Sequence, residues 1–427
     1  MKRLLMYSQD GMGLGHLRRS SNIAHEVLDN HEDCDVLILA DSPATRIFAP
    51  RRGLDVVKLP TIIKTGSATW RFTNWRTGSL SSDIRRVMKL RAKLILQTFR
   101  EFRPDTVLVD HMPVGAVGEL KPSFDRALNR PSPPRLFLGL RDILDTPSVI
   151  RRAWRELGAY DYLPYYESVL VYGRRDIHDA TSAYRLLPHA RRIVYCNYVS
   201  PHSQHALLDH PPEEPFILVT GGGGADAFPL ASTFLKALPM LHPRLRMRGV
   251  VLTGPNMQPG DREALLARAI PSVHIESSFD KAEEWIQKAT LVITMGGYNS
   301  LCEILKWRKK ALVVPRAGPS TEQRTRSLLF AERGLVRMLD SAELNPGRLA
   351  DELVRLLEDE TVPNPANTPL LDGALRAARL LMQEPSVEEA VAEELLPHGQ
   401  EGVYPAGPVA PQPPTPRGGG TNPVGIW

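Results

Sequence analysis

Ser8-Gln-Asp-Gly-Met-Gly-Leu-Gly-His-Leu-Arg-Arg19 follows directly on a short apolar run, Lys2-Arg-Leu-Leu-Met-Tyr7. It leads into a segment, Leu17 to Leu28, whose apolar residues recur at helical spacing. The reading is a buried strand, a turn carrying Gly11, Gly13 and Gly15, and a helix that opens at His16. Such a unit presents backbone N–H groups and the positive end of a helix at the C-terminal edge of a sheet, where anionic or strongly polar ligands settle. A histidine at that place can take a proton from a substrate.

The same alternation runs outward along the chain. Asp35–Ala40, Leu54–Leu59, Thr106–Asp110, Arg135–Gly139 and Ser168–Tyr172 are short continuous apolar runs, and Ser81 to Phe102 is a long amphipathic stretch. Continuous Val/Leu/Ile runs parted by helical spacers predict buried parallel strands in an open α/β sheet. Residues 201–215 are polar and proline-rich, a linker. The rhythm then restarts with Phe216–Thr220 running into Gly221, Gly222, Gly223 and Gly224, followed by strands at Gly249–Thr253, Val273–Ile275, Leu291–Thr294 and Ala311–Val314. The predicted fold class is α/β, with two doubly wound Rossmann-like domains facing across a cleft, 1–200 and 216–365. A helical segment (366–396) and a Pro/Gly-rich tail (397–427) follow, the tail too poor in apolar residues to fold.

Composition excludes several classes. With 427 residues, 42% hydrophobic and 24% charged, the chain has the make-up of a globular protein of two domains. A formal net charge of +5 suits an anionic substrate and carries no nucleic-acid signature. Cys34, Cys196 and Cys302 lack CxxC spacing, so neither a disulfide framework nor a zinc site is expected, and a cytoplasmic setting follows. The opening apolar run is too short for a signal peptide, and no run reaches membrane-spanning length. The one Asp-x-Asp, Asp33-Cys-Asp35, precedes a strand at the wrong edge of the sheet for a metal-diphosphate site and reads as a surface turn.

Three strand ends of the second half carry polar chemistry. Gly221 to Gly224 offer close backbone approach, or a plain turn. Gly296-Gly297-Tyr-Asn299-Ser300 repeats the geometry, with Asn299 or Ser300 able to cap the helix. Glu303 is either a helix-start carboxylate answering the macrodipole or an acceptor for a ribose diol. Glu322-Gln323 deliver an acid and an amide just before another helix. In the first half, Asp110-His111 ends a strand at the His16 edge; Asp110 either orients His16 or caps the following turn. Arg141 is similarly placed. The loop 64–82 holds Trp70 and Trp75 among arginines, suited to stacking on an acceptor, to an anionic membrane face, or to a lid. The basic residues Arg85, Arg86, Lys89, Arg91 and Lys93 read as a solvated helix face, with peripheral membrane contact as the alternative.

Taken together these motifs resemble the GT-B glycosyltransferases, nearest the N-acetylglucosaminyltransferase of the peptidoglycan lipid precursor. The shared pattern is Gly296, Gly297, Ser300, Glu303, Pro315, Glu322 and Gln323, with Gly13, Gly15, His16 and Arg19 in front. The resemblance implies an acceptor domain in 1–200 and a nucleotide-sugar domain in 216–365, with Gly221–Gly224 and Gly296–Asn299 around a diphosphate and Gly15 and Ser300 also among the donor-binding residues. It also implies that Glu303 binds ribose, backbone near Phe279 holds the base, and Glu322 and Gln323 bind the donor sugar. His16 would be the general base, helped by Asp110, with Trp70, Trp75 and Arg141 toward an acceptor the sequence does not name. No metal or further cofactor is implied beyond the nucleotide sugar, a UDP-sugar by preference. The four plain glycines depart from the family, which carries Ser or Gln in that loop. A nucleotide-sugar hydrolase and a non-catalytic nucleotide-sugar-binding subunit are the alternatives. A dehydrogenase is disfavoured: the first turn lacks the dinucleotide spacing, and Asp41 alone stands near the end of the second strand.

Overall fold

The computed structural model describes residues 1–382, apart from 12, 43–50, 66–74, 203–213, 242–244, 246, 277–281 and 319. Trp70, Phe279, most of the linker and the tail lie outside the described residues. The chain forms two compact units, Met1–His202 together with the residues from Asp372 onward, and Ser203–Leu371.

The first unit runs β1 (Lys2–Ser8), α1 (Gly15–Asn30), β2 (Cys34–Ala40), β3 (Leu54–Lys58), β4 (Ile62–Lys64), β5 (Trp75–Thr77), α2 (Ile84–Phe102), β6 (Thr106–Asp110), α3 (Lys121–Leu128), β7 (Arg135–Arg141), α4 (Pro147–Glu156), β8 (Ser168–Tyr172), α5 (Ala180–Ala183) and β9 (Ile193–Tyr195). Its main sheet is parallel throughout, in the order β3-β2-β1-β6-β7-β8-β9. Every residue of β6 and β8 is buried, as expected for strands covered on both faces by helices. The order departs in opposite directions from β1 and β6, so the loops behind these two strands part and leave a crevice at their C-terminal ends.

The second unit repeats the plan: β10 (Phe216–Thr220), α6 (Phe228–Ala237), β11 (Arg248–Leu252), α7 (Pro259–Leu266), β12 (Val273–Glu276), α8 (Ala282–Lys288), β13 (Leu291–Thr294), α9 (Tyr298–Lys306), β14 (Lys310–Val313), α10 (Glu322–Ala331), β15 (Arg337–Met338) and α11 (Pro346–Glu358). The sheet is again parallel, β12-β11-β10-β13-β14-β15, and its switch point lies between β10 and β13. These are two Rossmann-like domains.

The last described helix, α12 (Gly373–Met382), belongs to the first unit although it follows the second in sequence. It packs on α1, and Lys2 Nζ donates to the Met382 carbonyl at 2.7 Å. Gly373 permits the approach, since a Cβ there would lie 2.8 Å from the Tyr198 carbonyl oxygen. Among the described residues no helix is long and apolar enough to cross a membrane.

Candidate active site

His16 sits on the first turn of α1, behind β1, and Asp110 is the last residue of β6. The switch point of the first sheet therefore brings them together: Nδ1 of His16 lies 2.6 Å from Oδ2 of Asp110. Arg19, three residues along α1 and so on the same face, donates through Nη2 to Oδ1 at 2.8 Å and to Oδ2 at 2.6 Å. Its buried guanidinium lies over the Tyr172 ring, 5.5 Å from the centroid.

Burial pushes the Asp110 carboxyl up, but the charges of Arg19 and His16 and the hydrogen bonds from both outweigh it and hold the group well below the usual carboxylate range. Asp110 is thus an anion that can only accept. At 2.6 Å the His16 Nδ1 must carry the shared proton, since two facing lone pairs would repel. Arg19 Nη2 also lies 2.9 Å from Nδ1, a contact imposed by its grip on the carboxylate. In the neutral ring the lone pair is then the one on Nε2, on a side chain 15% exposed. This is the tautomer in which an oriented imidazole can act as a base.

The glycine turn before α1 differs from its sequence reading. The helix N-terminus already holds a carboxylate: Asp10 accepts from the backbone N–H of His16 at 2.8 Å and of Leu17 at 2.6 Å. Gly15 therefore starts a helix whose second and third amides serve Asp10. Asp41 is equally internal, accepting from the N–H groups of Asp10 and Gly11 and pairing with the fully buried Arg91. That occupation removes Asp41 as a ribose acid. Arg91 is no solvated-face residue either, because the positions on that side of α2 turn into the core. Trp75 is a core residue too, packed with Ile62, Val87, Met88, Ala116 and Val117, so its indole is closed to an acceptor. Arg141 turns its guanidinium onto the Leu144 carbonyl at 3.3 Å.

His111 escaped the sequence reading as a site residue. Its ring is 5.0 Å from that of His16, and its φ of 76° is rare for a side chain of this size. Burial, then the charges of His16 and Arg141, push the imidazole well below its ordinary value, so it is neutral at pH 7. For both His111 and Asp110 the unfolded chain binds the extra proton as pH falls. Stability of the first unit is therefore expected to drop below about pH 6.5 and again below about pH 4. Urea midpoints at pH 7.5, 5.5, 4 and 3 check this, and His111→Asn, which suits the positive φ, should flatten the first step. A midpoint constant from pH 7.5 to 4 would contradict it.

In the second unit the glycines divide by what a side chain would meet. A Cβ at Gly221 would lie 2.2 Å from the Ala227 Cβ, one at Gly224 2.0 Å from the Thr253 carbonyl oxygen, and one at Gly296 2.6 Å from the Ser327 hydroxyl. These three are demanded by packing. At Gly222 and Gly297 the nearest atom would be the Ser300 hydroxyl, at 3.6 and 3.9 Å, so both turns border the same small space. Asn256, missed in the sequence, closes a third side: its N–H donates to the Gly223 carbonyl at 2.8 Å, and its amide nitrogen would meet a Cβ at Gly223 at 3.1 Å. The space lies at the β10/β13 switch point and at the start of α9, where amides and helix dipole favour phosphate. Helix α9 begins at Tyr298 with Gly297 as its N-cap, so Asn299 and Ser300 stand inside the first turn and neither caps it. Glu303 is buried further along α9.

Glu322 and Gln323 open α10 and are held from behind. The buried Arg326 lies 3.3 Å from Glu322 Oε2 and donates to the Gly296 carbonyl at 3.2 Å, tying the acid to the glycine turn. Gln323 Oε1 accepts from the Arg316 N–H at 3.2 Å, which leaves its NH₂ as the outward group. Sequence spacing marks Arg326 only as an i, i+4 partner of Glu322; its burial is a tertiary fact.

The glycosyltransferase family 28 C-terminal domain matches residues 216–380. An uncharacterized glycosyltransferase of Methanosarcina acetivorans is 23% identical over 388 residues, 88% of this chain and 96% of its own. Residues 216–380 thus carry a glycosyltransferase domain, and the two matches together support assignment to the GT-B glycosyltransferases. The fold of this glycosyltransferase is shared over 92% of the chain with the glycotransferase of kitacinnamycin (TM-score 0.57, 18% identity, 99% of that chain). It is shared over the same fraction with Acinetobacter baumannii MurG (TM-score 0.51, 14% identity, 99% of that chain).

Proposed function

We propose that the enzyme moves a hexosyl or N-acetylhexosaminyl group from a UDP-sugar to an acceptor hydroxyl, with inversion and without a metal. The observation that supports this is the 2.6 Å contact between His16 Nδ1 and the Asp110 carboxylate at the first switch point. The acceptor O–H gives its proton to Nε2, its oxygen bonds to the anomeric carbon, and the bond from that carbon to the diphosphate oxygen breaks. The diphosphate leaves with the electron pair into the space bordered by Gly222, Gly223, Gly297 and Ser300. There, fixed amide dipoles stabilise the developing charge, work that a cation does in other enzymes. Glu303 takes the ribose diol, and Glu322 and Gln323 the sugar hydroxyls. The base stands on the first unit and the leaving-group site on the second.

A panel of UDP-, dTDP- and GDP-sugars in thermal-shift measurements tests the donor half. A ligand that binds only the folded state at 100 times its Kd adds about 2.7 kcal/mol. A UDP-sugar is expected to raise the melting temperature, and Glu303→Ala to remove most of that rise. Gly297→Ala should leave the melting temperature of the free protein unchanged yet weaken the nucleotide response, since its Cβ enters the phosphate space. Equal response to every nucleotide, or none, rejects the assignment.

A further inference from the structure

Helix α4 leaves the first sheet behind β7, and its two faces differ sharply. Ile150, Ala153 and Trp154 are buried, while Ser148, Arg151, Arg152 and Arg155, at i, i+3, i+4 and i+7, line one side. With Arg185 from the end of α5 they enclose an open pocket of about 270 Å³. Four guanidiniums thus converge on one concavity, and among the described residues none of the four has a carboxylate partner. Like charges at i, i+4 oppose the helix that carries them, so this arrangement is not one that stability favours.

Two further features shape the pocket. Arg151 is pinned, its Nη1 donating to the Ala183 carbonyl at 2.7 Å, which leaves its other N–H groups for a ligand. Arg185 stands at φ 54°, a conformation that favours glycine, and its side chain is kept there despite that preference. Planar guanidinium forks match the oxygens of a phosphate group two at a time.

We propose that this pocket binds a phosphate ester, a diphosphate by preference, at a site separate from the phosphate space of the second unit. The ester is either the headgroup of an anionic lipid or a soluble phosphate, and both present the same oxygens to the arginines. The proposal stands independently of the donor assignment.

Calorimetric titration of the full chain with inorganic pyrophosphate tests it. The variant Arg152→Gln/Arg155→Gln is expected to lose at least about tenfold in affinity, and Arg86→Gln/Lys89→Gln, the same charge removed from α2, to lose none. Any pyrophosphate held elsewhere stays constant across these variants, and Arg155→Gln alone serves if the double variant fails to fold. Flotation with phosphatidylglycerol and with phosphatidylcholine vesicles separates the sources. Retention on the anionic vesicles that pyrophosphate displaces assigns a headgroup; pyrophosphate binding without retention assigns a soluble ester. Wild-type affinity in both α4 variants, or vesicle retention that pyrophosphate leaves intact, overturns the proposal.

Discussion

Replacing His16 by alanine is expected to lower kcat about 10²–10⁴-fold while leaving the UDP-sugar thermal shift in place, because only proton removal is lost. The split follows from the architecture. His16 stands on the first unit, whereas the glycine turns, Ser300 and Glu303 stand on the second. Asp110→Asn should also lower kcat, since an amide in place of the carboxylate no longer requires the proton on Nδ1, and Nε2 loses its assured lone pair. It should destabilise the first unit as well, because Arg19 would be left buried without its counter-charge. His16→Ala carries no such penalty, so kcat and melting temperature together separate orientation of the base from support of the fold. A His16→Ala enzyme with wild-type kcat would remove the general-base assignment and favour a non-catalytic binding subunit. Release of free sugar without acceptor, at rates near transfer, would favour hydrolysis.

What sequence could and could not disclose follows from the range of the forces involved. Strands such as Val107–Val109 and Ile217–Val219 are buried on both faces, so their apolar runs announce themselves locally, and helices between them complete the α/β pattern. The Asp110–His16 contact was suggested by placing both residues at one sheet edge, yet only the strand order makes β1 and β6 neighbours. Asp10, Asp41 and Trp75 were beyond reach. Each looks polar or exposed in its own segment, and each is settled by partners 6 to 50 positions away: Asp10 by the His16 N–H, Asp41 by Arg91, Trp75 by its cluster against α2. A glycine run likewise gives no sign of which members pack and which face a ligand; that division depends on Ala227, Thr253 and Ser327, contributed by other segments.

Arg91→Met is expected to cost the first unit about 3–5 kcal/mol, the penalty for removing one partner of a buried ion pair. In a unit of this size that corresponds to a fall in melting temperature of roughly 10 °C. Arg91 is fully buried and lies 3.2 Å from Asp41 and 2.8 Å from Glu119, and the Tyr7 hydroxyl donates to the same Glu119 oxygen at 2.7 Å. Methionine fills the volume but leaves two carboxylates with no counter-charge in the interior. Glu119 Oε2 holds the Val117 N–H at 2.8 Å, so the loop behind β6 loses its anchor together with the one behind β1. The damage should reach the reaction edge, because Asp41 holds the turn that positions Asp10, and Asp10 seats the helix start bearing His16. Arg91→Lys, which keeps the charge but cannot reach both carboxylates through a planar fork, should fall between wild type and Arg91→Met. Arg86→Ala, exposed on the same helix, should stay within about 0.5 kcal/mol. Urea denaturation of the three variants decides the matter: a loss below about 1 kcal/mol for Arg91→Met would show that the network adds little, and that the seat of His16 is held by apolar packing alone.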